Sequence, residues 1–111
     1  MNKDLVYLVD IQDAISQIEE YTSAGREAFF NDRMQQDAVV RNFLIIGEAV
    51  KRLGAETVSA YPQIPWKDIA GFRDLLVHDY SGIDYTYVWN VIETHLPSLK
   101  ETVGKLIAEL E

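Results

Sequence analysis

The run Phe72-Arg73-Asp74-Leu75-Leu76-Val77-His78-Asp79-Tyr80 gathers the residue types that do chemistry. Arg73 precedes His78 by five positions, and Tyr80 follows His78 by two. Histidine is scarce, with 2 among 111 residues. A guanidinium keeps its charge near neutral pH and grips a phosphate through two parallel hydrogen bonds. An imidazole titrates near neutrality, so it gives or takes a proton at working pH. Together they form a minimal set for phosphodiester chemistry without a metal. RNA carries its own nucleophile, the 2′-hydroxyl. Cleavage then needs a base for that proton, an acid for the departing 5′-oxygen, and positive charge at the phosphate.

Geometry limits this idea. On a straight α-helix, five residues turn the chain by about 140°. Arg73 and His78 would flank the apolar stripe of Ile69, Phe72, Leu75 and Leu76 rather than meet. They converge if the helix loosens at His78, ahead of Ser81-Gly82. They also converge if two copies of the chain bring their helix ends to one cleft. A plainer reading competes, in which Arg73 pairs with Asp68, Asp74 or Asp79 and His78 sits as a cation at a helix C-terminus. Arg41 and Glu48, seven residues apart, share one face of an earlier helix. They are read first as surface or inter-helix polar contacts and second as support for the cleft. His95, just before Leu96-Pro97, reads as a surface or helix-end residue. Tyr61, Tyr80, Tyr85, Tyr87 and Trp89 read as core or interface before base stacking. Tyr80 differs, because it precedes a turn and offers a hydroxyl for modification. No HExxH or similar spacing points to a metal, and no cofactor is expected.

The elements that must position these groups are helical. Leu5, Leu8, Ile11, Ile15 and Ile18 recur at three- and four-residue steps from Asp4 to about Tyr21. Gly25 breaks that pattern. Met34, Ala38, Val39, Phe43, Ile46, Val50 and Leu53 mark a second helix from about Asp32 to Leu53, with Gly54 as its stop. Gly47 within it costs about 1 kcal/mol relative to alanine, which points to close helix contact, here read as contact with a second copy. Residues 54–64 are expected to be an extended connection held by Pro62 and Pro65. Pro65 opens a third helix that carries Trp66, Ile69, Phe72, Leu75 and Leu76. Asp84 caps a last helical region over residues 85–110, which Pro97 kinks or divides near Leu96. No strand is expected. The architecture is an all-α, four- to five-helix antiparallel bundle, one domain over residues 1–111.

Composition sets the outer bounds. With 48% hydrophobic and 25% charged residues, the chain is of ordinary globular type. It has no cysteine, which excludes disulfides and thiolate zinc sites and fits a reducing interior. Without a signal-type N-terminus or a membrane-length apolar run, the protein is expected to be cytoplasmic. The net charge of −8 argues against indiscriminate nucleic-acid binding. That charge is uneven: residues 1–25 carry −4 and residues 74–111 carry −5, while residues 26–73 carry +1. A locally positive groove would have to come from Arg26, Arg33, Arg41, Lys51, Arg52, Lys67 and Arg73.

These segments resemble a known family. Arg73-x4-His78-x-Tyr80 is similar to the R-x4-H-x-Y signature of the HepT-like branch of HEPN-domain proteins. Residues 41–53, residues 64–72, Val88-Trp89 and Leu96-Pro97-Ser98-Leu99 are similar to its other segments, in the same order. The resemblance implies an all-helical bundle that forms a homodimer, with both motifs lining one cleft. It implies a metal-independent ribonuclease toxin of a prokaryotic toxin–antitoxin pair. It further implies a small nucleotidyltransferase antitoxin that attaches AMP to the motif tyrosine, here Tyr80. By that carry-over Arg73 binds the phosphate of the RNA and His78 transfers protons. Two positions depart from the family pattern, Asp74 where asparagine is frequent and Ser81 where an aromatic is frequent. Asp74 would either repel RNA or orient Arg73 or His78. The acidity of the chain keeps an alternative open, a non-catalytic dimeric module that binds or regulates a nucleotidyltransferase.

Overall fold

The first helix starts where its sequence offers a cap. The Asn2 side chain accepts a hydrogen bond from the Asp4 backbone N–H at 2.8 Å, which satisfies a donor that the helix cannot satisfy itself. Helix α1 then runs over Lys3–Tyr21 and buries Leu8, Ile11, Ile15 and Ile18, the stripe expected from their spacing. The computed structural model describes residues 2–78 and 82–111, the side chains of residues 73–75, 77 and 78 excepted. Helix α1 ends at Thr22, whose hydroxyl donates to the Ile18 carbonyl at 2.7 Å. Gly25 follows at a φ of +100°, a left-handed backbone that a Cβ would strain.

A short helix, α2 (Arg26–Phe30), comes next. Five residues cannot sustain a helix alone, so tertiary contacts must hold it. Phe29 is fully buried, with its ring 5.3 Å from Trp89 and 6.1 Å from Tyr85. The buried Gln36 amide donates to the Phe29 and Phe30 carbonyls at 3.0 and 3.3 Å. That side chain belongs to α3 (Arg33–Lys51), capped by Asp32 accepting from the Gln35 N–H. Val39, Val40, Phe43, Ile46, Ala49 and Val50 face the core. Met34, placed on this stripe by its spacing, is instead 83% exposed, while Gln36 in the same turn is the residue that turns inward. Gly47 is buried within the chain itself.

The expected extended connection over 54–64 is corrected by a further short helix, α4 (Ala55–Ala60). Its start is supplied from far away in sequence. The Asp4 carboxylate accepts from the Gly54 N–H at 3.1 Å and from the Thr57 hydroxyl at 2.6 Å. A Cβ at position 54 would meet Asp4 Oδ2 at 3.3 Å, so glycine permits this close approach. Helices α5 (Trp66–His78), α6 (Tyr85–Thr94) and α7 (Leu96–Leu110) complete the chain. Asp84 caps α6 as expected, accepting from the Thr86 and Tyr87 N–H groups. Pro97 lies in the first turn of α7, where a missing N–H is harmless, and the last helical region divides at His95.

The all-α bundle is therefore built from five longer helices and two short ones, and no strand occurs among the described residues. Helix α3 packs between α1 and α5, α1 also packs on α7, and α6 leans on α7. Lys100 of α7 pairs with Glu19 of α1 at 3.0 Å. No helix among the described residues is long and apolar enough to cross a membrane.

Candidate active site

Helix α5 carries the motif, and its position is fixed at both ends. At its start, Trp66 is buried and donates its indole N–H to the Tyr61 carbonyl at 3.0 Å. The Pro65 carbonyl accepts the first helical bond, from Ile69 N–H at 3.0 Å. Further along, Leu76 is buried in the core. Between them Phe72 makes edge-to-face ring contacts on two sides, to Phe43 of α3 at 5.1 Å and to Tyr87 of α6 at 5.6 Å. Such pairs prefer this offset geometry and add to the apolar burial. The motif helix is thus tied to α3 and α6 together.

The backbone of α5 stays helical through His78. Loosening at His78, ahead of Ser81-Gly82 and one of the two routes to convergence, falls on residues 79–81, which lie outside the described residues. Positions 73 and 78 remain about 140° apart around one axis. The side chains of Arg73, Asp74 and His78, and all of Tyr80, lie outside the described residues.

Arg41 and Glu48 do share a face of α3. With Tyr7, Asp10 and Arg52 they line a shallow depression of about 490 Å³ between α1 and α3. Glu48 accepts from Arg52 at 3.2 and 3.3 Å. That hydrogen bond, followed by one involving Tyr7, raises Arg52 above its ordinary value and keeps its charge secure. This is the surface polar contact expected for Glu48, with Arg52 and Tyr7 as members that the sequence did not single out. Spacing does link Arg52 to Glu48, four residues apart. Nothing local links either to Tyr7, which comes from another helix.

Three cations of the basic middle section are engaged locally. Arg33 pairs with Asp37, Arg52 pairs with Glu48, and Arg26 stacks 5.0 Å from the Phe30 ring centroid. The aromatic residues divide by role. Tyr85 and Trp89 pack on Phe29, and Tyr61 donates its hydroxyl to Glu109 at 2.6 Å. Tyr87, by contrast, is 50% exposed. His95 is exposed at the α6–α7 break, as expected. Among the described residues, no group of three or more His, Cys, Asp or Glu side chains is placed to hold a metal ion.

The family model for ribonuclease HepT-like proteins matches residues 11–106. The chain belongs to the ribonuclease HepT-like family. Methanocaldococcus jannaschii carries a relative named "Gamma-glutamylcyclotransferase and putative RNase", 43% identical over 113 residues. The match takes in 100% of this chain and 51% of that protein, so the chain spans about half the length of that relative. A "Probable ribonuclease HepT" of Thermococcus cleftensis is 42% identical over 101 residues, covering 90% of this chain and 92% of that one. A second Methanocaldococcus jannaschii protein, named "Putative RNase", is 35% identical over 106 residues, covering 95% and 88%. No solved structure matches the chain. The HepT-like span includes Arg41, Glu48, Arg73, Asp74, His78 and Tyr80.

Proposed function

We propose that this chain is a metal-independent endoribonuclease, the toxin of a toxin–antitoxin pair, acting as a cytoplasmic homodimer. The observation that carries the reading is the HepT-like match over residues 11–106, which takes in the whole Arg73-x4-His78-x-Tyr80 motif. Relatives named RNase or ribonuclease agree with it. In this reading Arg73 neutralises the scissile phosphate, and His78 moves the protons of the 2′-hydroxyl and the 5′-oxygen. Asp74, Arg41 and Glu48 support the cleft. A partner nucleotidyltransferase silences the toxin by moving AMP from ATP to the Tyr80 oxygen, with release of diphosphate. The added phosphate places negative charge where RNA must bind, and repels it.

The test is expression in a host cell together with an assay on purified protein. The native chain arrests growth and cuts RNA in the presence of a chelator, while Arg73→Ala and His78→Ala do neither. Incubation with the neighbouring transferase and ATP adds the mass of AMP to the native chain and none to Tyr80→Phe. A native chain that is as harmless as both variants and leaves RNA intact refutes the enzyme reading. It would favour the non-catalytic module, which the net charge of −8 also accommodates.

A further inference from the structure

A second concavity, of about 380 Å³, lies beside the motif helix, between it and helices α3, α6 and α7. Its floor is Phe43 of α3, its wall is Phe72 and Tyr87, and its rim carries Lys67, Asp68 and His95. Tyr87 is 50% exposed, unlike Tyr85 and Trp89 of the same helix. Its contact with Phe72 is edge-to-face, with the rings at 82°. A T-shaped contact occupies at most one face of a ring, so an aromatic face stays open to the groove. Lys67 and Asp68 are exposed, and neither makes an ion pair with another described residue. An apolar slot with an aromatic wall and a few polar groups at its mouth is the usual form of a small-ligand site.

We propose that this groove holds an unpaired guanine base of the RNA strand, next to the cleavage site. This rests on the ribonuclease reading and names its recognition. Three features choose the occupant. Base–aromatic stacking is how unpaired nucleic acid is commonly held. A carboxylate offers two acceptors and no donor, which matches the adjacent N1–H and N2–H donors on the edge of guanine. Lys67 offers a cation to the phosphate attached to that base. Position agrees: residues 67 and 73 lie on one helix, about 9 Å apart along its axis, the reach of a neighbouring nucleotide. Charge gives a further reason. A chain of net charge −8 gains little from the phosphate backbone alone, so a base pocket must supply affinity.

The test separates this inference from cleavage by using dye-labelled tetranucleotides whose 2′-hydroxyls are methylated. They cannot be cut, so anisotropy reads binding alone. A probe with one guanosine among uridines is expected to bind about ten-fold more tightly than the all-uridine probe, through Asp68 accepting from its N1–H and N2–H and the larger purine face on Tyr87. Tyr87→Ala removes that difference, Tyr87→Trp keeps it, and Asp68→Asn shrinks it. Equal binding of all probes, or a guanosine preference that Tyr87→Ala leaves intact, overturns the proposal. So does tight binding of free GMP that the guanosine tetranucleotide fails to displace, since the groove would then serve a free nucleotide. Loss of the neighbouring nucleotidyltransferase from Tyr87→Ala, with RNA binding unchanged, would make the groove a protein contact instead. If native protein cuts ordinary RNA yet shows no base preference here, the inference alone fails. If it shows the preference yet cuts nothing, the ribonuclease reading alone fails.

Discussion

Asp4→Ala is expected to be among the most damaging substitutions on the surface of α1, although position 4 belongs to no core stripe. Its carboxylate holds the start of α4, some fifty residues away in sequence. The 2.6 Å bond from Thr57 comes from a residue only 9% exposed. A hydrogen bond to a charged group contributes about 1.5–3 kcal/mol. The Gly54 N–H is exposed, so water replaces its partner at little cost. A carboxylate in the first turn of α1 contributes about 0.3–1 kcal/mol through the helix dipole. The expected loss is therefore about 2–4 kcal/mol, and near 4 °C per kcal/mol this lowers Tm by about 8–16 °C. Thr57→Val removes the same bond and should cost about 1.5–3 kcal/mol. The double variant should cost less than the sum by about the value of that shared bond, about 1.5–3 kcal/mol. Urea denaturation of the four chains, followed by circular dichroism, reads all of these values. A single variant within about 0.5 kcal/mol of the native chain, or strict additivity, would refute the reasoning.

Two further outcomes follow. Tyr61 is held above its ordinary value of 10.0, chiefly by its hydrogen bond to Glu109. The folded chain therefore keeps that proton longer than the unfolded one. Its contribution is complete below pH 10 and is lost as pH rises through the folded value. Denaturation at rising alkaline pH should weaken the native chain more steeply than Tyr61→Phe, and parallel slopes would contradict the bond. Separately, if Arg73 of one copy works with His78 of the other in the shared cleft, mixing inactive Arg73→Ala with inactive His78→Ala restores about a quarter of native cleavage. Random pairing makes half the dimers mixed, each with one of its two Arg73–His78 pairs intact. No recovery on mixing would assign both groups to the same copy.

The sequence displayed the bundle more fully than its joints. Periodicity placed α1 and α3 to within a few residues, because a long buried stripe repeats enough times to be read. The Asp84 cap and the break before Pro97 were legible for a different reason, since each is local chemistry with a single outcome. Helix α2 was not, because five residues carry no period and its stability comes from Phe29 and Gln36 meeting distant partners. Helix α4 was missed for the same reason, its cap being Asp4. The motif and its flanking segments carried a resemblance to the HepT-like family, and the family match agrees with it. Spacing reads Tyr87, like its aromatic neighbours, as core or interface, and it is half exposed. Its exposure depends on how α6 meets α5, which spacing within α6 cannot reveal.

Geometry and charge point to the same requirement. Helix α5 is regular through His78, and it is clamped by Trp66, Phe72 and Leu76 against the rest of the bundle. The backbone of α5 keeps positions 73 and 78 about 140° apart around its axis. In the homodimer proposed above, a second copy completes the phosphodiester cleft. The charge distribution adds to this. In the central section Arg33, Arg52 and Arg26 are engaged within the chain by Asp37, Glu48 and the Phe30 ring, and Lys51 is engaged as well. One copy accordingly presents few cations to a phosphate. In the proposed homodimer, two copies facing each other across their α5 helices would double the positive groups at the cleft. The acidity that argues against indiscriminate RNA binding is then compatible with a nuclease that admits RNA at one narrow place.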